Sequence, residues 1–128
     1  MALPKRAITI LRQVKAAILA QPKLYNQADF PRVEARSDCN TPCCLAGWVE
    51  WVANPDPKAY EAKLAERSQF GTDTMAETLG ISLKQAALLF VDWPDEGSSP
   101  AWTKPGTPEA AKSAAKFIDR FIRNGGKW

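Results

Sequence analysis

Histidine is absent from the sequence, and this absence excludes several kinds of catalytic site. Without an imidazole there is no serine–histidine or cysteine–histidine pair, no histidine general base at neutral pH and no histidine-rich zinc site. The sequence also lacks the two glycine-rich patterns that hold nucleotide phosphates, Gly-x-x-x-x-Gly-Lys-Ser/Thr and Gly-x-Gly-x-x-Gly. We therefore predict a protein that is not an enzyme and that needs no cofactor.

Long apolar runs and a strong charge of one sign are also missing. No apolar run approaches the roughly 20 residues that a membrane-spanning helix needs. Near the N-terminus, Arg12, Gln13 and Lys15 interrupt the stretch that would have to be apolar in a secretory signal. The net charge of +3 is modest for a nucleic-acid-binding protein. We expect a soluble, cytoplasmic protein without a membrane partner.

Cysteine is scarce and odd in number, because the three residues Cys39, Cys43 and Cys44 are the only ones. An odd cluster does not suit a disulfide framework, and cysteine is among the most readily buried residues. We expect buried thiols and no metal. Two alternatives stay open: a reactive or zinc-binding site formed by the three thiols, and a Cys39–Cys43 disulfide.

What the sequence does contain is helical spacing of its apolar residues. In residues 2–20 one arc of a helix collects the apolar side chains Leu3, Ala7, Ile10, Leu11, Val14 and Ile18. Near the C-terminus Thr107 and Pro108 form a helix start, and the following apolar residues Ala110, Ala114, Phe117, Ile118 and Phe121 share one face. Shorter helices fit between these two. The pattern predicts an all-α bundle of about five to six helices in a single domain, residues 1–128.

The segment from residue 42 to residue 53 is apolar all round apart from Glu50. Thr41 is a suitable N-cap and Pro42 a suitable first helical residue. A helix that is apolar on every side is buried in a water-soluble fold. We predict that this helix is the centre around which the others pack.

Residues 72–90 are predicted to form two short helices at a tight corner. Thr72 or Asp73 would cap the first helix, Gly80 would close it and Ser82 would cap the second. The spacing is similar to that of a DNA-binding helix-turn-helix, in which Lys84 and Gln85 would contact DNA. Leucine and alanine dominate the second helix, however, and so we favour a corner that serves packing.

The loop between the last two helices combines breakers, acids and tryptophan. Trp93, Asp95, Glu96 and Trp102 lie among several proline and glycine residues between positions 93 and 106. Tryptophan is enriched among the residues that dominate the energy of protein interfaces. We take these four residues as the candidate partner-binding site.

Several segments together resemble a group of small uncharacterised proteins from bacteriophages and bacteria. The likeness rests on Cys39-Asn40-Thr41-Pro42-Cys43-Cys44-Leu45-Ala46-Gly47-Trp48, on Leu79-Gly80-Ile81, on Gln85-Ala86 and Leu89-Phe90, on Trp93-Pro94, and on Thr107-Pro108-Glu109-Ala110-Ala111 with Phe117-Ile118. It covers about residues 39–123. It departs from the group at Asn40, where a Cys-Gly-Thr start is common. The resemblance implies a phage or mobile-element setting and supplies no catalytic residue.

These observations favour a non-enzymatic phage or bacterial accessory protein that binds a host protein and modulates a host defence system. One alternative is a nucleic-acid-binding protein that uses the corner at 72–90, with Lys84 and Gln85, and the N-terminal cations Arg12 and Lys15. The other alternative is a thiol-dependent or metal-binding protein that uses Cys39, Cys43 and Cys44.

Overall fold

The computed structural model describes residues 3–24, 45–67, 71–90 and 107–127, and the regular structure in these ranges is helical throughout. Six α-helices are present there: α1 (Lys5–Ala20), α2 (Leu45–Ala53), α3 (Pro57–Arg67), α4 (Thr72–Leu79), α5 (Leu83–Phe90) and α6 (Pro108–Arg123). A single 3₁₀ turn, Pro22–Leu24, follows α1. The predicted all-α bundle is confirmed.

The two longest helices, α1 and α6, pack against each other in antiparallel directions. Lys15 of α1 pairs with Asp119 of α6, whereas Leu3, just before α1, lies beside Gly126, just after α6. Each helix buries the apolar face that its sequence spacing predicts. The start of α6 is also as predicted, because the Thr107 hydroxyl accepts a hydrogen bond of 3.3 Å from the Ala110 N–H and Pro108 follows it.

The start of α1 differs from the prediction. The helix begins at Lys5, and Pro4 precedes it with an extended backbone. The Pro4 carbonyl accepts the first helical hydrogen bond, from Ile8 N–H at 3.2 Å. Leu3 is therefore outside the helix, although its side chain is buried as predicted.

Helix α2 is buried from Leu45 to Glu50, in agreement with its apolar sequence. Trp48 is among the largest side chains of the core, and Trp51 and Val52 are only partly covered. Helices α2, α4 and α6 all pack against α1. One hydrophobic cluster contains buried residues from α1, α2, α4, α5 and α6.

Helix α3 joins the bundle through a smaller cluster. Tyr60 and Leu64 lie one turn apart and are both buried. The Tyr60 ring meets the Trp51 ring edge to face, with 5.3 Å between the centroids. Such aromatic pairs stabilise a fold by about 0.5–1.5 kcal/mol beyond burial alone.

The corner formed by α4 and α5 confirms two predicted caps and corrects one. Gly80 has a left-handed backbone, with φ +71°, and ends α4. Ser82 caps α5 through reciprocal hydrogen bonds with Gln85, of 3.0 and 3.1 Å. Capping of α4 by Thr72 or Asp73 is wrong: Gly71 occupies the cap position, its carbonyl accepts from Met75 N–H at 3.0 Å, and no side chain caps this end.

Within the described ranges, no helix is both long enough and apolar enough to cross a lipid bilayer.

Candidate functional site

The predicted partner-binding residues lie outside the part of the chain that the structure describes. Trp93, Asp95, Glu96 and Trp102 fall between α5 and α6. Their assignment as a binding site remains a prediction.

The cysteine cluster also lies outside the described residues, because Cys39, Cys43 and Cys44 precede Leu45. Among residues 3–24, 45–67, 71–90 and 107–127, no group of three or more cysteine, aspartate or glutamate side chains is placed to hold a metal ion. The thiol and metal alternatives remain predictions.

The four residues predicted to contact nucleic acid are described, and they occupy two different helices. Arg12 is exposed on α1, and Lys15, one turn later, is half-buried and paired with Asp119. Lys84 is exposed in the first turn of α5. The Gln85 side chain is engaged by the Ser82 N–H, so it serves the helix start rather than a ligand.

The α4–α5 corner presents few side chains suited to reading bases. At the start of α5 the large hydrophobic residue Leu83 is 61% exposed. Next to it stands Lys84, while Ala86 and Leu89 are buried in the core. A recognition helix needs several polar groups that reach base edges in the major groove. The described part of this corner fits core packing better than DNA reading.

A surface groove between α1 and α6 gathers cations that are distant in the sequence. Its volume is about 490 Å³. We call it the basic groove and define it by its lining residues, which are five cations, one carboxylate and two apolar side chains: Lys15, Lys112, Lys116, Arg120, Arg123, Asp119, Leu19 and Ala115. Lys112 and Lys116 stand one turn apart on α6 and are exposed.

The carboxylate in the basic groove is already neutralised. Lys15 Nζ lies 2.9 and 3.0 Å from the two oxygens of Asp119. Both side chains retain contact with solvent, so this ion pair contributes little to stability. The ion pair matters for the charge of the groove. Asp119 is the only acid among the described lining residues, and Lys15 neutralises its charge. The groove therefore has a positive potential.

The basic groove also has apolar lining residues, Leu19 and Ala115, which we call its floor, and we call its cations the rim. Leu19 is 41% exposed, and it and Leu83 are the large hydrophobic residues that the described part of the chain exposes. Ala115, from α6, is almost fully covered. Aliphatic stems of the lysine and arginine residues add further apolar surface beneath their charges. The groove thus combines an apolar floor with a cationic rim.

A second groove, of about 410 Å³, lies between α1 and α2. Its lining includes Trp48, Trp51 and Val52, with Gln13 and Gln21 at the edge. The Trp48 Nε1 donor is buried and has no hydrogen-bond partner within the described residues. This groove is apolar and carries no charged side chain from the described part of the chain.

An internal ion pair connects three helices beneath the surface. Glu50 of α2 is fully buried, and Lys63 of α3 donates to its Oε1. Lys63 Nζ also lies 3.2 Å from Thr78 Oγ1 of α4. Sequence reasoning noticed Glu50 as the one polar residue of its helix but did not find its partners. An ammonium that donates to both neighbours is not placed to take a proton from Thr78, so this cluster fits a structural role.

Comparison with protein-family models, with curated proteins and with solved structures gives no match. We therefore infer a function from the chemistry of the described surfaces.

Proposed function

We propose that this chain is a non-enzymatic accessory protein that acts by binding another protein, and that the basic groove is the surface it uses. The supporting observation is the combination of an apolar floor, Leu19 and Ala115, with a rim of cations from two helices. Protein interfaces combine an apolar centre that is removed from water with a polar rim that sets orientation and specificity. Among the described surfaces, the basic groove has both the apolar centre and the charged rim.

Two further observations support binding rather than catalysis. The sequence has no histidine, and the partly buried Lys63 is engaged by Glu50 and Thr78. The resemblance to small phage and bacterial proteins supports a phage or mobile-element setting. In that setting we expect the partner to be a host protein and propose that it belongs to a defence system.

The test is affinity capture from bacterial lysate with variants that reverse charge in the groove. Lys112→Glu with Lys116→Glu removes two rim cations, both exposed on α6. Lys58→Glu with Lys84→Glu is the matched control, because it makes the same change in net charge on the exposed surfaces of α3 and α5. Each capture is run with and without nuclease, and thermal unfolding confirms that each variant is folded.

We expect the wild type and the control variant to retain the same host protein, and the groove variant to retain at least about tenfold less, because rim charges set orientation and association rate. Equal retention by all three proteins would refute the groove as the binding surface. Loss of the retained protein on nuclease treatment would refute a direct protein partner and favour the nucleic-acid alternative.

A further inference from the structure

We propose that the partner segment bound in the basic groove is an acidic amphipathic helix. This inference rests on the proposed function, since it names the chemistry of the partner at the same site. It uses three properties of the groove: its charge, its floor and its length.

Charge complementarity favours an acidic partner. Lys112, Lys116 and Arg123 are exposed along one side of α6, and the one carboxylate among them, Asp119, is paired with Lys15. The groove residues include no second carboxylate that could pair with these three cations. Carboxylates brought by a partner would pair with them, and like charges would be repelled.

The apolar floor favours a protein segment over a nucleic-acid strand. Leu19 keeps 41% of its surface exposed and lines the groove together with its cations. An amphipathic helix covers such a side chain with its own apolar stripe, as in other helix-in-groove complexes. The phosphate groups of a nucleic acid offer no apolar surface that could cover Leu19. Single-stranded nucleic acid is commonly held by aromatic rings that stack on bases, and no aromatic residue is among the described lining.

The length of the groove fits about three helical turns. From Lys112 to Arg123 the cations extend over about 16 Å, at 1.5 Å per helical residue. Lys112 and Lys116 are four residues apart, which is also the spacing of neighbouring carboxylates on one face of a helix. A partner with acids at i and i+4 beside an apolar stripe therefore matches the rim and the floor together.

The experiment measures binding of synthetic labelled peptides to the full chain by fluorescence anisotropy, at about 0.15 M ionic strength. The probe is an amphipathic helix of about five turns, with leucine along one stripe and glutamate on both flanks. The comparison probes are a scrambled peptide of the same composition, a version with glutamine in place of glutamate, and a short single-stranded oligodeoxynucleotide. The protein variants are the groove and control pairs described above and Leu19→Ala.

We expect the amphipathic probe to bind at least about tenfold more tightly than the scrambled and glutamine peptides, since it alone satisfies both floor and rim. The groove variant should lose about tenfold and Leu19→Ala about fivefold in affinity, while the control variant should be unchanged. Equal affinity for the scrambled peptide, or tighter binding of the oligonucleotide with no effect of Leu19→Ala, would overturn the proposal.

The two hypotheses fail in different ways. If the groove variant loses the host protein in the capture experiment but the peptides are not distinguished, then the proposed function stands and the acidic helix is wrong. If capture does not depend on the groove, the proposed function itself is wrong, whatever the peptides do.

Discussion

Glu50 is a charged residue in the interior of the protein. Its side chain is fully buried in α2, and its Oε2 has no hydrogen-bond partner within the described residues. Lys63 compensates one oxygen and retains access to solvent, with 28% of its side chain exposed. Removing a charge from water costs several kcal/mol, so a pair of this kind orients its helices more than it stabilises them.

Removing Lys63 alone should therefore be costly. We expect Lys63→Met to lower the free energy of unfolding by about 3–5 kcal/mol, because the Glu50 carboxylate is left buried without a counter-charge. Glu50→Leu should cost less, since the Lys63 ammonium can turn to solvent. The double variant should come within about 1 kcal/mol of the wild type, because an apolar pair replaces the ionic one.

Urea unfolding followed by tryptophan fluorescence measures all four proteins of this double-mutant cycle. If the double variant were as unstable as the sum of the two single variants, the buried ion pair would not be the origin of the effect.

At the scale of the helices, the end of α4 depends on the backbone conformation of Gly80. Gly80 has φ +71°, and its N–H donates to Ala76 O and Glu77 O at 2.9 and 3.3 Å. Ile81 N–H also reaches Ala76 O, at 3.1 Å, which completes a Schellman ending. The Arg6 guanidinium of α1 lies 3.4 Å from Glu77 O, so a cation meets the negative end of the helix.

We expect Gly80→Ala to destabilise the protein by about 1–2 kcal/mol, because an L-residue is strained in the left-handed region. The new Cβ would also stand 2.8 Å from Arg6 Nη2, which must move. Gly71→Ala is the matched control: its backbone is extended, and the nearest atom to a Cβ there is Asp73 Oδ1 at 3.7 Å.

The control should stay within about 0.5 kcal/mol of the wild type, because the loss of a preferred cap residue and the reduced freedom of the unfolded chain oppose each other. Chemical denaturation measures both variants. Equal losses of stability at the two positions would show that the left-handed backbone of Gly80 is not the cause of the destabilisation.

Sequence reasoning succeeded at this scale wherever a signal was local. The buried faces of α1 and α6, the Ser82 and Thr107 caps and the Gly80 ending each depend on residues within one or two turns of each other. The cap of α4 was misassigned because Gly71 supplies the cap through its backbone, without the polar side chain that cap prediction looks for.

The basic groove and the internal ion pair could not be predicted in the same way. Lys15 and Asp119 are 104 residues apart in the sequence, so their meeting depends on how α1 and α6 pack. Glu50 was visible as one acid in an apolar helix, but its pairing with Lys63 depends on the angle between α2 and α3. The sequence contains the charges of the groove, and only tertiary packing places them together.

At the scale of the whole molecule, charge is distributed unevenly. Helix α1 contains four basic residues and no acidic one, and α6 contains four basic and two acidic residues, so the pair has a net charge of +6. The complete chain has a net charge of only +3. The net positive charge therefore comes from the α1–α6 pair, and an acidic partner is attracted to it.

The claim that the basic groove contacts a partner protein is tested most directly by site-specific photo-cross-linking in bacterial cells. A photoreactive residue replaces Leu19, inside the groove, and in a second protein it replaces Leu83, which is more exposed but lies on α5; their exposed fractions are 41% and 61%. We predict a discrete protein adduct from position 19 and none from position 83. An adduct from position 83 alone, or from both positions equally, would contradict the groove as the binding surface.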